Sequence, residues 1–272
     1  MSSTPAVRLH HPLLNLLGNF SAQASQQVAV ISGDETFAFS DTTDVATPKT
    51  LAEQAYLRLR QHIIEGVYPP GAKLRVERLK HDYAVGAGTL REALTRLVSD
   101  ALVIVEGQRG FRVTPMSLAD LADITRLRIH IEVDALRQSI RNGDDAWEER
   151  VRLSFAQLSS YEQPISLESR PTWEVCNRRF HEALISAAAS PWTYLVLRIL
   201  SQHSERYRRL CIGLEDSKRD VHREHTDIFE AAMRRADARA ALALEDHISM
   251  TLTTLQNLPP EKKRQLFQTV SK

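Results

Sequence analysis

The stretch 88-GTLREALTRLVSDALVIVEGQRGFRVTP-115 decides how the chain begins to fold. Leu90, Ala93, Leu94, Leu97 and Val98 repeat at helical spacing and form one apolar stripe. Two short β-like runs follow, Leu102–Glu106 and Phe111–Thr114. Between them lies Gly107-Gln108-Arg109-Gly110, a loop with the glycines of a hairpin. Upstream, apolar residues at 51, 55, 59, 63 and 64 predict a first helix, closed by Gly66 and the turn Tyr68-Pro69-Pro70-Gly71. A second, shorter helix is expected over Val76–Tyr83. Three helices and a hairpin within 47–115 outline a winged helix-turn-helix, which places its third helix in the major groove of duplex DNA.

The charge distribution agrees with that reading. The chain carries a net charge of only +1. Its basic excess is confined to 47–115, where eleven Lys and Arg face seven Asp and Glu. A basic block of this kind suits phosphate contacts. Thr89, Arg91 and Arg96 lie on or beside the expected outer side of the third helix. Arg91 is the first choice for a base or phosphate contact, because its guanidinium fork fits guanine or phosphate oxygens. Arg75 and Arg78 flank the second helix and are candidates to clamp the backbone. Arg109 and Gly110, at the hairpin tip, are candidates for the minor groove.

These residues closely resemble the GntR superfamily of bacterial regulators. The resemblance covers 48–115 and rests on "YPPGAKL", "GTLREALTRLVSDALV" and "GQRGFRVTP". It implies operator contacts from Gly88, Thr89 and Arg91 on the recognition helix and from Gly110 in the wing. The family turn usually reads Ser-Arg-Thr-Pro, whereas Gly86-Ala87-Gly88-Thr89 stands here. The family's arginine is therefore absent at Ala87.

Everything after Pro115 reads as helix, over about 117–141, 144–162, 172–188, 191–211, 219–236 and 238–256. Asn142-Gly143-Asp144, Glu168–Pro171, Ser190-Pro191 and Leu214–Ser217 are the breakers. The predicted architecture is mainly α, a winged helix-turn-helix followed by an all-helical antiparallel bundle over 116–256. Residues 1–46 read as a disordered extension, with only short apolar islands at Leu13–Leu17 and Val28–Ile31. Residues 257–272 are polar and expected to fray. No apolar run is long enough to span a bilayer, and no signal-peptide pattern is present. With only Cys176 and Cys211, no disulfide framework is indicated. A cytoplasmic protein without membrane contact is expected.

Six of the ten histidines fall between 130 and 247. Asn177 and His181, four apart, share one helix face. His203 lies on the stripe Val196, Ile199, His203, Tyr207, Leu210, and His225 on Val221, His225, Ile228, Ala232. Both point inward, where an imidazole needs a partner. Inward histidines from several helices can build a metal site, although spacing alone does not make them converge. His130, His222 and His247 rank behind these. Arg128 is also inward, four residues before Glu132; an intrahelical bridge and a carboxylate clamp are both open.

The segment 118–256, with "RLRIHIEVDAL", "NRRFHEALI" and "REHTDIFEAAMRRADARAAL", looks like the FadR-type ligand-binding domain known as FCD. The resemblance implies a divalent metal held by an acidic residue and three histidines. Those positions read Asn177, His181, His203 and His225, with an amide where aspartate is commoner. Three imidazoles favour zinc, with nickel and manganese as alternatives. It also implies a small organic-acid effector, a dicarboxylate being one candidate, with Arg128 in the pocket. A homodimeric repressor on a pseudo-palindromic operator is the expected function. Two rivals stand beside it: a C-terminal domain that only dimerises, and a metal-dependent hydrolase.

Overall fold

The computed structural model describes residues 48, 50–107, 110–162, 165–166, 168–188, 190–212 and 219–267. The predicted extension 1–46 and Arg109 lie outside the described residues.

The head begins with α1 (Leu51–Ile64), capped by the Thr50 hydroxyl, which accepts from the Glu53 amide at 3.1 Å. It continues through β1 (Lys73–Leu74), α2 (Val76–Tyr83), α3 (Ala87–Ser99), β2 (Val103–Val105) and β3 (Phe111–Val113). The apolar stripe of α3 is the core of this unit. Leu90, Ala93, Leu94 and Leu97 are fully buried against Leu59, Leu79 and Val113. Burying one such leucine stabilises the fold by about 2 kcal/mol.

The hairpin forms as expected, with Val103 opposite Val113 and Val105 opposite Phe111. A third strand was not anticipated. Lys73 and Leu74 pair with Arg112 and Phe111, giving the antiparallel order β1-β3-β2. Two residues are too short for any alternation to be read. Arg112 ties the sheet together, donating to both Glu106 carboxylate oxygens (2.7 and 3.1 Å) and to the Gly71 carbonyl. Gly110 turns the wing with φ +93°, a conformation glycine adopts without steric cost.

The second unit contains α4 (Leu118–Asn142), α5 (Asp145–Ser159), α6 (Arg170–Ile185), α7 (Pro191–Ile212), α8 (Val221–Met233) and α9 (Asp237–Gln256). These six helices match the predicted ones to within three residues at most ends. Ser117, Asp144 and Asp220 cap α4, α5 and α8 through their side chains. The tight link between α4 and α5 needs glycine for space. A Cβ on Gly143 would lie 2.6 Å from the Trp147 ring and 2.7 Å from the Ser139 carbonyl. The main core gathers Leu136, Trp147, Val151, Leu158, Phe180, Leu184, Ile228 and Leu244, all fully or almost fully buried. Helix α4 packs on α6, α7 and α9, which places its inward face at the centre of the bundle.

Residues 257–272, expected to fray, include a further helix, α10 (Pro260–Phe267). Leu266 and Phe267 pack beside Tyr207, Cys211 and Leu255. Two apolar side chains at the end of an otherwise polar stretch are enough to dock it.

Candidate functional site

On the head, Gly88 and Arg91 are exposed at the start of α3, and Thr89 is half-buried. Glu92, Thr95 and Ser99 complete the open face of this helix. Nothing lies within 4 Å of a Cβ built on Gly88, so the helix N-terminus is free for close approach by a ligand. Arg75 is exposed immediately before α2, and Arg78 is exposed with Asp82 at 3.7 Å. Gly110 is half-buried. Arg96 differs from expectation, because its guanidinium stacks over the Tyr56 ring, 4.3 Å from the centroid. It braces α3 on α1 through a cation–π contact.

In the bundle, the structure brings together His181 on α6, His225 on α8 and His247 on α9. One ligand nitrogen from each lies within 4.8 Å of the others. Ring centroids are 4.5 Å apart for His225 and His247, 5.1 Å for His181 and His247, and 5.7 Å for His181 and His225. A tetrahedral zinc with nitrogens at about 2.1 Å holds them about 3.4 Å apart, so small ring rotations would close the set. Asn177, one turn before His181, is 5% exposed, and its Oδ1 has no hydrogen-bond partner. The Nε2 of the fully buried His225 is likewise unpartnered. Buried polar atoms normally find a partner, and both of these are good metal donors. The residues therefore fit a divalent cation.

His203 is not in this cluster. It is buried as predicted, but it faces the joint between the two units, with Nε2 3.3 Å from the Asp100 carbonyl oxygen. The inward stripe of α7 pointed correctly to burial and did not say against what. The member that sequence reasoning ranked too low is His247. Its signal was present: Ala240, Leu244, His247, Ile248, Thr251 and Leu255 recur at helical spacing and are all buried.

Carboxylates surround the cluster. His225 Nδ1 is 2.6 Å from Glu162 Oε1, and His247 Nδ1 is 2.8 Å from Glu224 Oε2. His181 Nδ1 stands 3.5 Å from Glu132 Oε2. Arg128 donates to both oxygens of Glu132, at 2.6 and 3.2 Å, so the intrahelical bridge exists. Burial raises the Glu132 carboxyl, but Arg128 and His181 outweigh it and bring it down to about 2. Burial pushes His181 down to about 4 and His247 well below its ordinary value. Both imidazoles are therefore neutral near pH 7, the form in which histidine binds metal. Glu162 is raised by burial, yet hydrogen bonds from His225, Trp173 and His222 hold it below the usual carboxylate range.

The two units meet along α7. The Asp100 carboxylate, at the end of α3, accepts from Tyr56 Oη at 2.6 Å and faces Arg198 at 3.3 Å. Burial and this carboxylate push the Tyr56 phenol up to about 12. Arg206 donates to the Thr114 carbonyl at 2.7 Å. Tyr207 Oη accepts from the Ser117 amide at 3.0 Å and donates to Asp120 at 2.7 Å. The next residue, Arg208, pairs with the buried Glu174 of α6, the helix that carries His181, at 2.6 Å.

A winged head with an exposed basic helix, joined to a helical bundle with a polar centre, defines a DNA-binding regulator with a sensor domain. Comparison with known proteins agrees. Residues 51–113 match the family described as bacterial regulatory proteins, gntR family, and residues 123–250 match the FCD domain. The chain is 42% identical over 231 residues to the HTH-type transcriptional regulator BphR of Paraburkholderia xenovorans (strain LB400), covering 83% of this chain and 94% of the relative. It is 32% identical over 206 residues to the HTH-type transcriptional repressor GlaR of Escherichia coli (strain K12), covering 74% and 94%. Among solved structures, a GntR transcriptional regulator from Rhodococcus sp. RHA1 shares the fold at TM-score 0.62 and 20% identity, over 76% of this chain and 99% of that one. The chain belongs to the GntR family of DNA-binding transcriptional regulators, in the branch that carries an FCD domain. It is a regulator and not an enzyme. No helix among the described residues is long and apolar enough to cross a membrane.

Proposed function

We propose that the protein is a homodimeric repressor whose hold on a pseudo-palindromic operator is weakened by a small organic acid bound at a divalent metal in the FCD domain. Asn177, His181, His225 and His247 would hold the metal. Zinc suits three neutral imidazoles, and nickel and manganese are the alternatives to test. Bound there, the cation supplies positive charge to an incoming carboxylate. Arg128 is the candidate to receive the acid, which would have to compete with Glu132 for its guanidinium, and a dicarboxylate is one class of acid such a site would take. The observation that carries the reading is the convergence of three imidazoles from three helices, with the unpartnered amide oxygen of Asn177 one turn before His181. The repressor name of the relative GlaR supports the sign of regulation.

Coupling to DNA follows from the position of α7, which reaches both the neighbourhood of the histidines and the end of α3. A ligand that favours one seating of α7 over another would shift the orientation of the head, and hence operator affinity. On the operator, Gly88, Thr89 and Arg91 would meet the major groove, Arg75 and Arg78 the backbone, and Arg109 and Gly110 the minor groove. Arg96 would act indirectly, by holding α3.

The test has two stages. A thermal-shift screen with zinc, nickel, manganese and a panel of organic acids should raise the melting temperature for one metal and one acid class. Mobility-shift titrations on DNA selected by the protein should then show binding that the same acid weakens. Arg91→Ala should weaken specific binding about 5- to 150-fold, since a bidentate base contact is worth about 1–3 kcal/mol. Unchanged binding removes Arg91 from the contact set, and an acid that tightens binding reverses the sign of regulation.

A further inference from the structure

Each clustered histidine turns Nδ1 toward a carboxylate: His225 toward Glu162 at 2.6 Å, His247 toward Glu224 at 2.8 Å, His181 toward Glu132 at 3.5 Å. An ionised carboxylate only accepts, so the close approaches at His225 and His247 place a proton on Nδ1 of each of these rings. Their Nε2 atoms are the ones turned to a cation.

The three acids are not equivalent. Glu132 is paired with Arg128 through both oxygens. Glu224 is paired with Arg219, whose Nε and Nη2 donate to it at 2.7 to 3.1 Å. Both are therefore neutralised by a guanidinium. The Glu162 side chain is completely buried, and its partners are different: His225, His222 at 3.1 Å, and the indole N–H of Trp173 at 3.1 Å. Among the described residues no arginine or lysine stands within ion-pair distance of it. Among the described residues, Glu162 is thus held by two imidazoles, that of His225 belonging to the cluster, and an indole rather than by a guanidinium or an ammonium.

The same place lacks the charge that the ligand set would ordinarily bring. Asn177 offers an amide oxygen where an aspartate would add a negative charge, and that oxygen is buried with no partner. The charge missing among the direct donors reappears one layer out. We propose that Glu162 is the positioning carboxylate of the metal site, orienting His225 through Nδ1 and supplying the negative charge that Asn177 does not. This rests on the metal reading given above. It adds that a residue which touches no metal sets the affinity.

The experiment is a zinc titration of the full-length protein against a competing chelator, for wild type, Glu162→Gln and the exposed control Glu149→Gln. Removing an outer carboxylate of this kind weakens metal binding by about 10–100-fold. Glu162→Gln should show that loss, and Glu149→Gln should bind as wild type does. The metal-free melting temperature of Glu162→Gln should fall somewhat, because the carboxylate accepts from His225, His222 and Trp173. A purely structural acid would lower that temperature too, but would leave the zinc affinity of the folded variant at the wild-type value. A wild-type protein that takes up no zinc, nickel or manganese overturns the metal reading and this inference with it. Wild-type binding together with equal affinity in Glu162→Gln overturns the role of Glu162 alone. Should the variant fail to fold, imidazole nitrogen NMR of the zinc-loaded wild type decides the matter. The inference requires the His225 proton on Nδ1 and the metal on Nε2, and the opposite assignment refutes it.

Discussion

His225 and His203 look alike in sequence. Each is an inward histidine on an apolar stripe of an FCD helix, and each is almost completely buried. Their surroundings separate them. His225 has a carboxylate at Nδ1, two further imidazoles across from it, and an Nε2 without a hydrogen-bond partner. His203 has a carbonyl at Nε2 and Arg206 nearby, and lies where α7 grips the end of the recognition helix. The first region gathers metal-binding side chains from three helices. The second uses its polar groups to hold one unit against the other. Burial is thus shared by a candidate binding site and a structural joint, and the distinction lies in what stands opposite each ring.

The largest effect should come from the member of the cluster that the sequence ranked behind the others. His247→Ala should weaken zinc binding by more than about 100-fold, since losing a direct ligand should exceed the 10–100-fold cost of losing an outer partner. His203→Ala should leave metal content and affinity unchanged. Metal analysis of the two purified variants checks this. Loss of metal in His203→Ala, with retention in His247→Ala, would reverse the comparison.

A smaller effect is expected at the joint. Asp100→Ala leaves the buried Tyr56 hydroxyl without its acceptor and removes the partner of Arg198. A hydrogen bond to a charged group contributes about 1.5–3 kcal/mol, and Arg198 is too exposed to add much. A loss of about 2 kcal/mol should appear as a lower urea midpoint, with zinc affinity unaltered. Equal stability in the variant would mean that the Tyr56–Asp100–Arg198 contacts are dispensable.

The head was almost entirely legible because its signals are local: the α3 stripe, the proline turn and the hairpin glycines each fix their own neighbourhood. The six bundle helices were legible from periodicity for the same reason. What a sequence period cannot give is the partner of an inward face. Arg128 was correctly turned inward, and its pairing with Glu132 was one of two open readings. His203 was correctly turned inward too, but the surface opposite it belongs to residue 100, over a hundred positions away. Glu162 carried no periodic signal, since it stands just beyond the end of α5 and meets His225 only through tertiary packing. His247 was within reach, because its stripe is as regular as that of His225.

The most delicate test uses acidity. Burial first, and then Arg206, lower the His203 pKa to about 4, while the Asp100 carbonyl pulls the other way. In the unfolded chain the same ring titrates near its ordinary 6.5. Between these values the unfolded chain holds a proton that the folded one refuses. Stability from this residue is therefore complete above about pH 6.5 and falls away as the pH drops toward 4. His203→Gln, which cannot titrate, should show a shallower loss of stability on going from about pH 7 to about pH 5. The difference should be roughly 2 kcal/mol, about 1.5 pH units of titration at about 1.4 kcal/mol per unit. The comparison is best made on metal-free protein, so that release of metal in acid does not contribute. His181 and His247 add slopes of the same sign, because burial depresses them too. They add equally to both proteins, and only the difference between the two curves reports on the joint. Parallel curves would mean that His203 accepts a proton in the folded state as readily as in the unfolded chain, and that the joint opens to water in acid.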